Sequence, residues 1–288
     1  AREHAGTFSA CDGTVDWPTL LAASVLVLGA FALMVLTWSA SLRWWNAGVS
    51  FLAALRIWSL SNLARFIPGA VWQFAGLAAL GADEGISPLA ATGAVLLQQL
   101  MLLATGVVVA VMMAPAWVEP IAGGLPPAAT AAIAIIALAI LAVSIPLMMP
   151  AIGRGLGRMV KRQFAWPRPA RGAFAGYTVA LVIPWLIYAA AFWMFARALI
   201  GESAPSLLVA GGAFVASYVA GIVAVFAPAG IAVREAALVA MLAPVLDGRV
   251  ALALALGSRL WMIALEILMA AAVVGLYRAR GRPARRAV

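Results

Sequence analysis

Apolar residues run through this chain in long unbroken blocks, without the strict alternation of a half-buried strand or the one-sided stripe of a surface helix. Residues 17–42, 85–118, 120–153, 172–196 and 203–233 contain no Asp, Glu, Lys or Arg. A last block, 250–277, contains only Arg259 and Glu266. About 20 apolar residues in a helix cross the hydrocarbon core of a bilayer. In lipid the helix is the one open-chain form that pairs all its own backbone groups. The blocks therefore predict transmembrane helices, and the block at 120–153 is punctuated near its start by Gly123-Gly124-Leu125-Pro126-Pro127.

Two stretches break this pattern. Residues 50–80 carry Arg56 and Arg65 and are interrupted at Pro68-Gly69. Residues 206–246 are interrupted at Pro228-Ala229-Gly230, with Arg234 and Glu235 soon after. The strings Ala64-Arg65-Phe66-Ile67-Pro68-Gly69-Ala70-Val71 and Ala224-Val225-Phe226-Ala227-Pro228-Ala229-Gly230-Ile231 are alike. Pro/Gly-interrupted apolar segments at corresponding places in two halves point to the binding site of a transporter built from an inverted repeat. If both are re-entrant hairpins entering from opposite faces, five spans remain. If the second is a pair of true spans, there are seven.

Composition narrows the class. Of 288 residues, 66% are hydrophobic and 10% charged, and the mean hydropathy is +1.06. A soluble domain carries about 25% charged residues, so a soluble enzyme is excluded, and disorder, which needs low hydrophobicity, is excluded with it. The fold class expected is an all-α polytopic transmembrane bundle of five to seven spans.

Charge sets the orientation. There are 19 basic and 10 acidic residues, and all but Lys161 of the basic ones are Arg. Arg154, Arg158, Lys161, Arg162, Arg168 and Arg171 share one loop, and Arg278, Arg280, Arg282, Arg285 and Arg286 share the tail. The positive-inside rule makes both cytoplasmic. The acidic opening segment then lies outside and Arg43 inside, which requires an odd number of crossings. Trp17 and Trp117 would mark the outer interface, and Trp44, Trp45 and Trp166 the inner one. The expected organisation is one integral domain over 1–288: an external tail (1–16), a first half (17–149), a basic cytoplasmic loop (150–172), a second half (173–277) and a basic tail (278–288). The membrane expected is a bacterial-type inner membrane. The chain opens on Ala1, which predicts that a segment ahead of it was processed or trimmed.

Candidate chemistry is sparse. His4 is the only histidine and Cys11 the only cysteine, so no disulfide, His-based triad or Cys/His metal site is expected. No Walker loop is present, and no cofactor is implied. Asp83-Glu84, in Gly81-Ala82-Asp83-Glu84-Gly85, reads as a solvated interfacial turn. Charges within apolar segments are more informative, because each costs about 3 kcal/mol or more at the bilayer centre. Arg56 reads as snorkelling to the inner interface. Arg65 precedes Pro68, where a helix starting at Gly69 would aim its free N–H groups and dipole at an anion. Gly230 and Arg234 repeat that arrangement, and Arg supplies a permanently charged phosphate clamp. Arg259 and Glu266 lie seven residues apart on one helix face, each able to pair with Glu235 or Arg234. Arg259–Glu235 also reads as a structural ion pair. Gln73, Gln98 and Gln99 serve equally as headgroup ligands or interhelical glue. The small-residue face of Ala210, Gly211, Gly212, Ala213, Ala216 and Ala220 reads as helix packing.

At the two breaks the sequence resembles a known family. Phe66-Ile67-Pro68-Gly69-Ala70-Val71-Trp72-Gln73, followed by Glu84-Gly85-Ile86-Ser87, is similar to a signature of the lysylphosphatidylglycerol synthase transmembrane, or flippase-like, family. Pro228-Ala229-Gly230-Ile231-Ala232-Val233-Arg234-Glu235 resembles its glycine-rich signature ending in Arg-Glu, and Leu42-Arg43-Trp44-Trp45 resembles the close of an early helix. The likeness runs from about Trp17 to Tyr277. Ala229 and Ala232 stand where the family has glycine, and Gln98-Gln99 where it often has Glu-Arg. The resemblance implies lipid translocation or an allied step, adds Trp72 to the site, and carries no aminoacyl-transferase region.

The expected function is movement of an anionic phospholipid or polyprenyl-phosphate-linked lipid between leaflets, without enzymatic catalysis. Arg65, Pro68, Gly69, Trp72, Gln73, Pro228, Gly230, Arg234, Glu235, Arg259 and Glu266 form the expected binding site. The alternative is a non-catalytic scaffold or regulatory subunit of a lipid- or glycan-modifying complex, so such an enzyme is the candidate protein partner. An oligomer is compatible with the sequence, and nucleic acid is not an expected partner.

Overall fold

A computed structural model of the protein describes residues 15–67, 72–114, 123–160, 167, 169–224 and 227–279, with backbone alone for 152, 153, 155–160 and 228. All regular structure among them is helical. Five segments are long and apolar enough to cross a membrane: Trp17–Trp45, Pro88–Met113, Pro127–Ala151, Arg171–Ser203 and Gly248–Ala279. The protein is a multi-pass helical membrane bundle. Its exterior agrees: Ile133, Ile136, Ile140, Leu208, Leu260 and Leu268 point outward, an apolar surface suited to lipid rather than water.

Helix α1 (Trp17–Leu42) starts at Asp16, whose side chain accepts the Thr19 N–H. It is followed by α2 (Phe51–Leu63) and α3 (Trp72–Asp83), then α4 (Pro88–Met113), capped by Ser87 and led by Pro88. Helix α5 (Pro127–Val160) contains Pro146 and Pro150 and is the most lipid-exposed span. Helices α6 (Arg171–Ala180) and α7 (Val182–Ile200) form one crossing with an irregularity at Leu181. The chain ends with α8 (Leu207–Val223), α9 (Val233–Leu242) and α10 (Gly248–Ala279).

The order span, broken pair, span occurs twice: α1, α2–α3, α4, and then α7, α8–α9, α10. At 1.5 Å per residue the 13 and 12 residues of α2 and α3 reach about 20 Å, and the 10 of α9 about 15 Å, against a core of about 30 Å. The members of each pair pack on each other, as hairpins do. The open end of α2–α3 lies where α1 and α10 finish, because the Tyr277 hydroxyl donates to Glu84 at 2.6 Å. The open end of α8–α9 lies at the other end of the bundle, where α1 begins: the Asp16 N–H bonds the Ala198 carbonyl beside the exit of α7. The two hairpins thus enter from opposite ends, which matches the five-span alternative. Contacts between the repeats are reciprocal, α1 on α7, α2 on α10 and α8 on α4.

Close packing holds this arrangement. A Cβ on Gly106 would stand 2.6 Å from the Trp185 ring, whose indole N–H bonds the Leu102 carbonyl at 3.0 Å. On the small-residue face, Gly211 abuts Ala189 and Gly212 abuts Ala114, as helix packing requires. Gln98 is buried and its Nε2 donates to the Met34 carbonyl and the Thr37 hydroxyl, which ties α4 to α1.

Candidate functional site

The tips of the two hairpins touch: the turn Ala64–Phe66 contacts the turn Pro228–Gly230. A cavity of about 560 Å³ opens around them. Its wall takes residues from the middle of span after span: Phe31 and Met34 of α1, Gln99 and Leu102 of α4, Tyr188 of α7, and Arg259 to Glu266 of α10. The cavity therefore sits at half depth, where broken-helix transporters place their substrate.

Local backbone geometry shapes the second tip. Ala229, Gly230 and Ala232 have positive φ (51°, 65° and 70°), a region that disfavours a side chain. A Cβ on Gly230 would lie 2.9 Å from the Gly221 Cα and carbonyl oxygen, so glycine is required for the backbones to meet. The expected helix start at Gly230 is displaced, because these turn residues delay the helix to Val233. Glu235 then folds back to accept the Ala232 N–H at 2.7 Å, which satisfies one free donor of the first turn.

Charges at the tips are paired unevenly. Arg259 of α10 donates to Glu235 at 2.8 Å and to the Ala229 carbonyl at 3.2 Å, and so ties α10 to the second tip. Glu266, expected to face Arg234 or Glu235, instead accepts from Arg65 at 2.6 Å, because the first tip and not α9 lies over that turn of α10. One helix thus holds both hairpins, through residues two turns apart. Arg65 also donates to Asn62 at 3.0 Å, and Gln73 donates to the same Asn62 oxygen at 3.4 Å.

Arg234 is different. It is 7% exposed and makes no hydrogen bond or ion pair to any described residue. Its guanidinium lies 4.4 Å from the Tyr218 ring centre and 4.8 Å from that of Phe214. Such stacking stabilises a cation by about 0.5–2 kcal/mol but leaves its donors open. The buried Nη2 of Arg234, Nε of Arg65 and Oε2 of Glu266 have no partner, and all three residues line the one cavity. Buried polar atoms are rarely left unpaired, and such a group calls for a water, an ion or a ligand.

The cavity brings together Arg65, Gln73, Gly230, Arg234, Arg259 and Glu266, with Glu235 behind Arg259. Trp72 is half exposed and is not among its wall residues. Pro68 and Gly69 lie outside the described residues, and of Pro228 only the backbone is described. Asn62, Trp58, Tyr188 and Tyr218 join the wall although the sequence did not single them out. Asn62, an amide three residues before Arg65 on the same helical face, was the signal available. Two expectations outside the cavity are corrected. Arg56 does not simply snorkel: it bonds Glu84 at 3.1 Å and lies 4.5 Å over the Tyr277 ring. Glu84 is therefore not a solvated turn residue, because Arg56 and Tyr277 close over it, whereas Asp83 is exposed. Among the described residues no group of three or more His, Cys, Asp and Glu is placed to hold a metal.

No curated protein and no solved structure matches the chain. A family model does: the lysylphosphatidylglycerol synthase TM region aligns with residues 10–285, nearly the whole sequence and both broken hairpins. The chain therefore belongs to the lysylphosphatidylglycerol synthase transmembrane-region family, membrane proteins related to lipid handling.

Proposed function

We propose that this protein moves an anionic lipid, a phospholipid or a polyprenyl-phosphate-linked lipid, between leaflets as a flippase or scramblase. The observation that carries the reading is Arg234, a buried guanidinium with open donors facing a cavity at the meeting point of two opposed hairpins. An unpaired charge at such depth is costly and usually serves a substrate path. A phosphate entering there satisfies the Arg234 fork, and the Arg65 Nε offers a second donor. The acyl or prenyl chains stay in lipid beside the bundle while the headgroup crosses. No covalent step is involved, so the reading is not an enzymatic one. The basic loop and tail face the cytoplasm of a bacterial-type inner membrane, with the start of α1 outside.

A scaffold that only holds a partner enzyme has no use for a lined cavity with unpaired donors, and a fully packed interior would have favoured it.

The test is leaflet exchange of fluorescent lipids in proteoliposomes without ATP. Arg234→Ala is expected to reduce exchange of anionic lipids at least tenfold, equivalent to about 1.4 kcal/mol, and Arg65→Ala to reduce it as well. Unchanged exchange in both variants, with the protein folded, sinks the proposal.

A further inference from the structure

We infer that the protein carries a second lipid site, apart from the hairpin cavity: an external groove between α1 and α6 that seats one acyl chain of an anionic phospholipid, with the phosphate at Arg43. The inference does not depend on the transport reading above.

Shape calls for an acyl chain. Helix α6 packs on α5 and α7, and between α6 and the close of α1 a groove of about 330 Å³ is left open. Its sides include the small, exposed Ala40, Ala173 and Gly176, and Trp44 and Tyr177 supply ring surface. The two rings lie 5.1 Å apart, edge to face, and brace each other. Glycine weakens a helix interior, and packing within the chain does not call for one here. A Cβ on Gly176 would meet nothing within 4 Å among the described residues, whereas Gly106, Gly211 and Gly212 each abut a neighbour. The room beside Gly176 is therefore left for something outside the chain. From Arg43 to Thr37 the groove descends about 9 Å along α1, against about 15 Å for one leaflet's share of the hydrocarbon core. Thr37, at the deep end, gives its hydroxyl to the Met34 carbonyl and accepts from Gln98, so that end suits an apolar occupant.

Charge at the mouth selects the headgroup. Arg43 lines the groove, is exposed, and forms no side-chain hydrogen bond or ion pair to any described residue. Arg171, also exposed, stands two residues before Ala173 at the start of α6, and no side chain caps that start. A cation in the first turn opposes the helix dipole, a conflict that a bound anion removes. A lipid phosphate at the mouth meets the Arg43 guanidinium, and a headgroup without a cation of its own keeps the full attraction of both arginines. A helix of a second copy fits this face less well. It is about 10 Å across, and a two-fold contact here brings Arg43 and Arg171 against their own counterparts.

Photo-crosslinking locates the lipid. The full chain in proteoliposomes is irradiated with phosphatidylglycerol carrying a diazirine in its acyl chain, and the labelled peptides are mapped. Residues 37–44 and 173–180 are expected to be labelled about tenfold more than the lipid-facing stretch 133–140 of α5. Phosphatidylcholine with the same diazirine is expected to label the groove no more than α5. Gly176→Leu, whose side chain enters open space, should abolish the excess, and Arg43→Gln should reduce it about fivefold. The excess should survive Arg234→Ala, which separates this site from the hairpin cavity, and its loss there overturns the inference. Groove labelling equal to that of α5, which means bulk lipid only, overturns it as well, as does equal labelling by phosphatidylcholine. So does an excess unchanged in both groove variants. Disulfide-linked dimers of a chain carrying Cys11→Ser and Gly176→Cys would seat a second copy in the groove and reject the lipid.

Discussion

The two hairpins occupy equivalent places in the repeat, yet they are held by different means. The first is fixed by charge. Its tip is paired to α10 through Arg65 and Glu266, and its open end through Arg56, Glu84 and Tyr277. Where its two helices meet, a Cβ on Gly76 would stand at an ordinary 3.6 Å from Ser61. The second is fixed by shape. Gly221 and Gly230 bring its backbones together at the tip, three residues there have positive φ, and an ion pair joins Glu235 to Arg259. The difference places the unpaired Arg234 on the hairpin whose tip is sterically set and the charge network on the hairpin opposite it.

The largest effect expected is at the steric contact. Gly230→Ala forces a Cβ against the Gly221 backbone at 2.9 Å and adds a side chain at φ 65°. The loss should reach about 3 kcal/mol or more, read as lost monodisperse protein in detergent. Gly221→Ala meets the Arg234 Cβ at 3.1 Å and the Gly230 Cα at an ordinary 3.7 Å, and should cost less. Gly76→Ala in the first hairpin should stay within about 0.5 kcal/mol of the parent. Equal losses at Gly230 and Gly76 break the contrast.

Next in size is the charge network. Glu266→Ala leaves Arg65 facing the cavity without its partner. Breaking a buried pair costs 3–5 kcal/mol, and the partial exposure of Arg65 reduces the expected loss here to about 2 kcal/mol. Glu235→Ala removes both the partner of Arg259 and the acceptor for the Ala232 N–H, so the two losses should be comparable. A double-mutant cycle between Arg65 and Glu266 should give a coupling of about 1–2 kcal/mol. A coupling near zero removes Glu266 as the anchor of the first tip.

A gain is expected from the backbone of the second tip. Ala229→Gly and Ala232→Gly each relieve a left-handed alanine, worth about 1 kcal/mol, and should raise the melting temperature by about 2–4 °C. The same positions explain what the sequence could and could not disclose. The spans were legible because charge-free runs of this length have one stable form in lipid, and the breaks were legible because Pro228 and Gly230 interrupt a helix. The helix start was not, since alanine is the best helix former and nothing local announces its positive φ. Arg259 and Glu266 could be placed on one face by their spacing. That Glu266 reaches Arg65, 201 residues away, is a property of how the repeats pack. Tyr188 and Tyr218 look like ordinary span aromatics until Arg234 is found against Tyr218.

The smallest effect tests the open end of the first hairpin. Tyr277→Phe removes one hydrogen bond to Glu84 but keeps the ring under Arg56, so the loss should be about 1 kcal/mol or less. At the open end of the second hairpin the ion pair among the described residues, Arg197 with Glu202, is exposed and local to the turn before α8, and it ties no span to α9. If this tie restrains the first hairpin, hydrogen exchange in Tyr277→Phe should quicken at the close of α3 and leave α8–α9 unchanged. Exchange that rises equally in both hairpins would mean that Tyr277 supports the bundle as a whole, and the first hairpin would then be charge-held at its tip alone.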